Sequence, residues 1–221
     1  MTKPVIIFDL DGTLVDTAPD LLASINWLLG REGRPPVAEE QLRRLVGRGA
    51  KNLIAEAFLV TGDPVSPFEI EMLYRAFLQN YGSHVADNSL PYPGVMATLE
   101  ALQAEGFVLG VLTNKPHAPT TGLLDALGMT DFFGAIYGQG KRAYMKPDPR
   151  LFAEIQGELG GGPALMVGDS ITDVETARAA GVPVILVPYG YTQQPASSLG
   201  ADVVVEDFTA VPVAAKQLLG L

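Results

Sequence analysis

Short apolar runs without polar alternation recur along this chain, and they restrict its possible folds strongly. The clearest runs lie at residues 5–8, 107–113, 164–167 and 184–187, with weaker ones at 135–137 and 203–205. A strand in a parallel sheet is covered by helices on both sides, so both of its faces are apolar. The runs therefore predict an α/β fold built on a doubly wound (Rossmann-like) parallel sheet.

Helix-like segments separate these runs and end at glycines. Val95, Leu99 and Leu102 form one apolar helical face, and Gly106 follows it. The segment at residues 174–180 repeats this arrangement and is followed by Gly181. Glycine commonly closes a helix because it adopts positive φ without steric cost. The alternation of strand, helix and glycine supports the parallel sheet.

Residues 16–88 break this alternation. They contain no convincing strand, but helical stripes lie at Leu21, Ile25 and Leu28 and in the segments 41–46, 53–59 and 68–81. Proline and glycine mark the crossings near residues 17–19 and 91–94. We expect residues 1–15 and 89–221 to form an α/β core domain. Residues 16–88 are expected to form an inserted all-helical domain, called the cap below.

The charge and composition of the chain exclude several classes of binding partner and several kinds of chemistry. Its 221 residues carry 15 Lys and Arg against 25 Asp and Glu, a formal net charge of −10. Such a chain is repelled by nucleic acid and by anionic membrane surfaces. A hydrophobic content of 48% with 18% charged residues excludes disorder. Because there is no cysteine, a disulfide framework, thiol chemistry and a cysteine-bound zinc are excluded.

The sequence gives no sign of a membrane segment. No apolar run approaches the roughly 18 residues of a membrane span. Asp9 and Asp11 interrupt the N-terminal apolar run, which is therefore not expected to be a signal peptide. We expect a soluble, cytoplasmic protein that acts on a small molecule, and its oligomeric state stays open.

Two acids stand directly behind the first apolar run. Asp9 and Asp11 are two residues apart, so their side chains point to the same side of an extended backbone. Open α/β sheets bind ligands at the carboxyl ends of their strands, where both acids lie. Gly12 permits a sharp turn behind them. The alternative is an Asp-Gly turn with an incidental second acid, but placing two acids behind a buried strand is costly without a use.

A second pair of acids stands behind another buried run. Asp169 follows the run at residues 164–167, and Asp173 lies one helical turn further if a helix starts promptly. Carboxylate oxygens are ligands that Mg²⁺ prefers. An acid in the first turn of a helix is also favourable without a metal, so Asp169 is the stronger candidate ligand.

Groups that could bind phosphate stand behind two further segments. Thr113 and Asn114 end the run at residues 107–113, where a hydroxyl and free N–H groups can bind phosphate oxygens. Lys146 stands in a loop that could reach the same strand ends. A phosphate monoester adds about two negative charges to those of the four acids. One lysine cannot balance them, so the site predicts a divalent cation.

These motifs follow one another as in the haloacid dehalogenase superfamily of phosphotransferases, which the chain resembles. The matching segments are Asp9-Leu10-Asp11-Gly12-Thr13, Thr113-Asn114, Lys146-Pro147 and Gly168-Asp169-Ser170 with Asp173. The helical insertion is similar to the cap of that superfamily. The resemblance implies a Mg²⁺-dependent enzyme that acts on a small phosphorylated metabolite.

The resemblance also implies roles for the four acids. Asp9 would be the nucleophile that forms an aspartyl-phosphate, and Asp11 the general acid and base. The Mg²⁺ would be held by Asp9, by the backbone carbonyl of Asp11 and by Asp169. Asp173 would be a further ligand or would lie behind the ligands.

By the same resemblance, the phosphoryl oxygens would be bound by Thr113, by the N–H of Asn114 and by Lys146. Segments 16–21, 46–50, 92–95, 113–116 and 189–191 are similar to those of phosphoglycolate phosphatases, which implies hydrolysis of 2-phosphoglycolate to glycolate and phosphate. Arg48 lies between two glycines in a basic segment, so it could meet the carboxylate of that substrate. The neighbouring Arg43 and Arg44 fit a solvated helix face equally well.

Several other functions share part of this pattern. A sugar-phosphate phosphatase, a pyrophosphatase and a phosphoglucomutase-like enzyme would have the same four motifs and a different cap. A dehalogenase is disfavoured because it would need neither Asp11 nor the metal-binding acids. A receiver domain is disfavoured because its lysine comes last in the chain, whereas here Lys146 precedes Asp169 and Asp173. A binding protein without chemistry is disfavoured by the intact first acid pair.

Overall fold

The strands and helices follow one another much as the apolar runs predict. The computed structural model describes residues 2–192 and 194–221. Its strands are β1 (Val5–Phe8), β2 (Val15–Asp16), β3 (Leu90–Pro91), β4 (Val108–Pro116), β5 (Ala135–Gln139), β6 (Ala164–Gly168), β7 (Val184–Leu186) and β8 (Val203–Val204). Its α-helices are α1 (Ala18–Arg31), α2 (Glu39–Arg43), α3 (Ala50–Thr61), α4 (Pro67–Ser83), α5 (Val95–Ala104), α6 (His117–Ala126), α7 (Pro149–Glu158), α8 (Ile171–Ala180) and α9 (Val211–Leu219). Each predicted apolar run overlaps a strand, and β4, β5 and β6 continue past their predicted ends.

Strand β1 lies inside a parallel sheet. Among the described residues, this sheet has six strands in the order β5-β4-β1-β6-β7-β8. Val5 pairs in parallel with Val108 of β4 on one side and with Ala164 of β6 on the other. Both faces of β1 are buried, since Phe8 packs into one apolar cluster and Ile7 into another. This arrangement confirms the predicted doubly wound parallel sheet.

The strand order reverses beside β1, and this reversal locates the place where a ligand can bind. Strands β4 and β5 extend the sheet on one side of β1, and β6, β7 and β8 extend it on the other. Helices that leave such neighbouring strands lie on opposite faces, which opens a crevice at the carboxyl ends. The residues behind β1, β4 and β6 therefore border one crevice.

Helices α1 to α4 lie between strands β2 and β3. These two strands pair antiparallel, Val15 with Pro91 and Asp16 with Leu90, so the two crossings of the cap lie side by side. Helix α4 packs against both α1 and α3, and α1 also packs against α2. The predicted boundaries at residues 16 and 88 lie beside this ribbon. The division into two domains stays a prediction.

Helix α4 shows how the sequence directs a cap side chain towards the core. It begins with a capping box, in which Glu69 accepts from Ser66 N–H at 2.7 Å and Ser66 Oγ accepts from Glu69 N–H at 3.3 Å. Leu73, Phe77 and Tyr81 recur every four residues and form its buried face.

None of the described helices, α4 included, is both long enough and apolar enough to cross a lipid bilayer.

Candidate active site

Most of the polar residues predicted for the site lie at the carboxyl edge of the sheet. Asp9 follows β1, Thr113 and Asn114 lie near the end of β4, and Asp169 follows β6. All four are buried, with exposures between 2% and 6%. Neighbouring strand ends bring them together although they are far apart in the sequence. The crevice beside β1 therefore contains a polar site.

Asp9, Asp169 and Asp173 form a cluster of three carboxylates. One oxygen of each lies within 4.8 Å of the others. Asp173 Oδ2 accepts from Ser170 N–H at 3.0 Å and from Ser170 Oγ at 2.7 Å, so the start of α8 orients this carboxylate. Among the described residues, the cluster includes no side-chain oxygen of Asp11. The expected contact of the Asp11 backbone carbonyl with a cation stays a prediction.

The loops behind β1 and β7 hold Asp169 in place. Thr13 Oγ1 donates to Asp169 Oδ1 at 3.0 Å, and Tyr191 N–H donates to Asp169 Oδ2 at 2.6 Å. Gly12 adopts a φ of 82°, and a Cβ at this position would lie 2.6 Å from Asp169 Oδ2. Gly12 therefore permits both the predicted turn and the close approach of the chain to the carboxylate.

The acid cluster carries more negative charge than its neighbouring lysine balances. Lys146 Nζ lies 3.0 Å from Asp9 Oδ2 and 2.7 Å from Asp173 Oδ1. Burial raises the pKa of Asp9 to about 6, with Lys146 opposing this rise and Asp173 adding to it. Burial and the charges of Asp173 and Asp9 also raise the pKa of Asp169 well above its ordinary value. An all-oxygen donor set with surplus negative charge fits a divalent cation such as Mg²⁺.

The Asn114 side chain joins three segments of the site. Its Oδ1 accepts from Lys146 N–H at 2.9 Å, and its Nδ2 donates to Lys146 O at 3.2 Å. The same Nδ2 donates to Gly47 O of the cap at 3.4 Å. Asn114 therefore places the Lys146 loop against β4, a role that the sequence did not indicate. The binding of phosphate by its backbone N–H stays a prediction.

Asp11 lies on the cap side of the site, beside a second buried lysine. Its Oδ1 accepts from Lys115 Nζ at 2.9 Å and from Thr17 Oγ1 at 2.7 Å. Lys115 is 4% exposed and also donates to Tyr81 Oη of α4 at 2.5 Å. Burial lowers the pKa of Lys115, but Asp11 and Tyr81 together raise it above its ordinary value. The ammonium group therefore stays charged inside the protein.

A cavity lies between the cap and these residues. Asp9, Asp11 and Lys115 line its core side. Arg48 does not line it but lines a neighbouring cavity, together with Thr192 and other residues. The structure thus brings Asp9 and Asp11 to one cavity and places Arg48 elsewhere, so a contact of Arg48 with substrate stays a prediction.

Sequence reasoning did not assign Lys115 or Tyr81 to the site. For Lys115 a signal was present, because it directly follows the Thr113-Asn114 motif. For Tyr81 the sequence carries no such signal, since its approach depends on how α4 packs against the core. Contacts between the cap and the core are therefore the part of the site that local patterns miss.

The chain is similar to known hydrolases along most of its length. Residues 6–187 match the family of haloacid dehalogenase-like hydrolases. A phosphoglycolate phosphatase of Caulobacter vibrioides is 43% identical over 97% of this chain and 91% of its own length. An N-acetylmuramic acid 6-phosphate phosphatase of Pseudomonas aeruginosa is 36% identical over 93% of this chain and 92% of its own length.

The fold is also similar to solved structures. The crystal structure of a predicted phosphoglycolate phosphatase from Haemophilus somnus superimposes with a TM-score of 0.88 at 34% identity. The match covers 95% of this chain and 96% of that one. The likeness therefore includes the cap as well as the sheet.

Proposed function

This chain belongs to the haloacid dehalogenase-like hydrolase family and is a phosphatase, and on that premise we propose that it hydrolyses 2-phosphoglycolate to glycolate and phosphate. The observation that carries the proposal is the placement of Asp9 and Asp11 at one cavity with different neighbours. Asp9 lies among the acids beside Lys146, and Asp11 lies beside Lys115. Two carboxylates in different surroundings suit two different chemical roles.

In the first step, an oxygen of Asp9 attacks phosphorus and the bond from phosphorus to the ester oxygen breaks. The leaving alkoxide of glycolate takes a proton from Asp11, which acts as general acid. The product of this step is an aspartyl-phosphate on Asp9. The side chains lie two residues apart behind β1, so one can reach phosphorus while the other reaches the ester oxygen.

In the second step, Asp11 takes a proton from a water molecule whose oxygen attacks phosphorus. The bond from phosphorus to Asp9 breaks, phosphate leaves and Asp11 is protonated again for the next cycle. The cap would cover the cavity during these steps and limit the access of bulk water.

The acid cluster is the proposed metal site. Asp9 and Asp169, with Asp173 and the backbone carbonyl of Asp11, would hold Mg²⁺, which when bound neutralises charge on the phosphoryl oxygens. Thr113, the N–H of Asn114 and Lys146 are the groups proposed to bind those oxygens. Lys146 is preorganised for this because two carboxylates fix its ammonium group.

The proposal is tested with a panel of phosphate compounds in the presence of Mg²⁺. The panel contains 2-phosphoglycolate, a hexose 6-phosphate, N-acetylmuramic acid 6-phosphate and pyrophosphate. We expect the highest kcat/KM for 2-phosphoglycolate and no turnover after chelation. Equal or faster turnover of another compound would reassign the substrate, and turnover that survives chelation would contradict the metal site.

The intermediate is tested with Asp9→Asn. This variant is expected to fold and to show no turnover, while Asp125→Asn, at an exposed position in α6, serves as the matched control and keeps full activity. Mass spectrometry of the wild type quenched during turnover should find the phosphoryl group on Asp9. A phosphoryl group on any other residue would exclude this mechanism.

A further inference from the structure

We propose that Lys115 and Tyr81 form a subsite for the carboxylate of the substrate, the anionic group that does not react. The inference rests on the proposed function, because it concerns the substrate named there. Lys115 belongs to β4 and Tyr81 to α4, so the core and the cap each contribute one group. Both residues line the cavity that contains Asp9 and Asp11.

Lys115 gives this cavity its positive charge. Among the described residues that line the cavity, it is the sole cation. Lys146 is not among the lining residues, and its ammonium group contacts two carboxylates of the acid cluster. The cap side of the wall is largely apolar, with Leu21, Leu53 and Phe77. A carboxylate that loses its water against apolar groups needs a charged partner, and Lys115 is placed to supply it.

The donor groups of the two residues are adjacent, since Lys115 Nζ lies 2.5 Å from Tyr81 Oη. An ammonium group has three N–H donors, and the described contacts of Lys115 use one on Asp11 and one on Tyr81. The Tyr81 hydroxyl accepts from Lys115, so its own O–H is left to donate. Burial raises the pKa of Tyr81 to about 12, which keeps this proton in place at neutral pH. Two donors are therefore available to one carboxylate.

The size of the substrate restricts where its carboxylate can lie. In 2-phosphoglycolate a single CH₂ group separates the ester oxygen from the carboxylate carbon. Asp11 must reach the ester oxygen to protonate it, so the carboxylate must lie close to Asp11 as well. Lys115 Nζ is 2.9 Å from Asp11 Oδ1 and meets this requirement. Arg48 lines a different cavity in the same structure.

The test compares two substrates that differ at the carboxylate. Kinetics are measured with 2-phosphoglycolate and with 2-hydroxyethyl phosphate, in which a neutral CH₂OH group replaces the carboxylate. The readout is the ratio of the two kcat/KM values, called the selectivity ratio below. Because Asp11 serves both substrates, an effect of Lys115 that acts through Asp11 cancels in this ratio.

We expect Lys115→Met to lower the selectivity ratio about 10- to 150-fold, as for the loss of a hydrogen bond to a charged group. Lys216→Met, which removes an exposed lysine of α9, is the matched control and keeps the ratio of the wild type. Thermal melting checks that each variant is folded. A folded Lys115→Met enzyme with the wild-type ratio would overturn the inference, even if it lost activity on both substrates.

Tyr81→Phe gives a second test, which decides the matter if Lys115→Met does not fold. Among the described hydrogen bonds, the phenol oxygen takes part only in the one from Lys115, so its removal is expected to leave the packing of α4 intact. We expect the selectivity ratio to fall about 3- to 10-fold, and an unchanged ratio would overturn the subsite. A wild type that does not prefer 2-phosphoglycolate would overturn the proposed function and this inference together. If the wild type prefers 2-phosphoglycolate and the Lys115→Met and Tyr81→Phe variants keep its selectivity ratio, the inference alone would be overturned.

Discussion

The two buried lysines of the site have nearly equal burial but different kinds of neighbour. Lys146 is 3% exposed and Lys115 is 4% exposed. Both partners of Lys146 are carboxylates of the core. Lys115 has one partner in the core, Asp11, and one in the cap, Tyr81. In each case burial lowers the pKa of the lysine and the neighbouring oxygens raise it above its ordinary value.

We propose that this difference in neighbours corresponds to a difference in role, with Lys146 serving the reaction and Lys115 the choice of substrate. The surroundings of Lys146 depend on the ends of parallel strands, which the packed sheet fixes. The surroundings of Lys115 depend also on where α4 lies over the sheet. Under the proposed roles, a reaction common to many phosphate esters needs only Lys146, whereas recognition of 2-phosphoglycolate also needs Lys115. We therefore expect changes on the core side to affect all substrates and changes on the cap side to affect some of them.

The largest expected effect comes from Lys146→Met, which removes the buried ammonium group on the core side of the site. We expect kcat/KM to fall about 10³-fold, because a preorganised charge next to the phosphoryl group is lost. The loss should be similar for 2-phosphoglycolate and for 2-hydroxyethyl phosphate, so the selectivity ratio stays that of the wild type. Steady-state kinetics on both substrates measure this. A change in the ratio as large as that of Lys115→Met would remove the distinction between the two lysines.

The next effect concerns the stability that Mg²⁺ adds through the acid cluster. A ligand present at about 100 times its dissociation constant stabilises the folded state by about 2.7 kcal/mol. Thermal melting with and without Mg²⁺ should show this gain in the wild type and in Lys115→Met, whose side chain lies outside the cluster. Asp169→Asn should lose most of it. A full gain in Asp169→Asn would place the metal elsewhere.

The sequence was sufficient for the core side of the site and insufficient for the cap side. Asp9 and Asp169 directly follow buried apolar runs, and the geometry of a parallel sheet brings such positions to one edge. Tyr81 lies in a regular amphipathic helix, whose apolar period predicts a buried face but not what that face meets. The interpretation of Arg48 rests on its charge and its glycine neighbours, and neither feature indicates which cavity its loop lines.

A smaller effect is expected at Asp20, which ties the cap to the chain that returns to the core. Ser89 N–H and Ser89 Oγ donate to Asp20 Oδ2 at 2.8 Å and 2.6 Å. Burial raises the pKa of Asp20, but the hydrogen bonds from Ser89 and Asn88 outweigh this and lower it below its ordinary value. We expect Asp20→Asn to lower the free energy of unfolding by about 1–2 kcal/mol at pH 7, measured by urea denaturation.

The same residue predicts a pH dependence with a definite sign. Because the folded state lowers the pKa of Asp20, its contribution is complete above the unfolded value of about 3.9 and is lost as the pH falls through the lower folded value. The difference in stability between the wild type and Asp20→Asn should therefore shrink in acid. A difference that stays constant down to about pH 2 would show that the carboxylate charge is not involved.

The smallest effect is expected for the exposed Lys216, whose substitution is the reference for the effects of substituting the two buried lysines. Lys216 Nζ lies 2.9 Å from Glu105 Oε2, and its side chain is 41% exposed. Solvent screens such a pair, so Lys216→Met should change the free energy of unfolding by less than about 1 kcal/mol and less still at high salt. Urea denaturation measures this change, and kinetics should give the selectivity ratio of the wild type. All three lysine variants remove one positive charge, so a ratio lowered equally in Lys216→Met and Lys115→Met would mean that net charge, and not position beside Asp11, governs the choice of substrate.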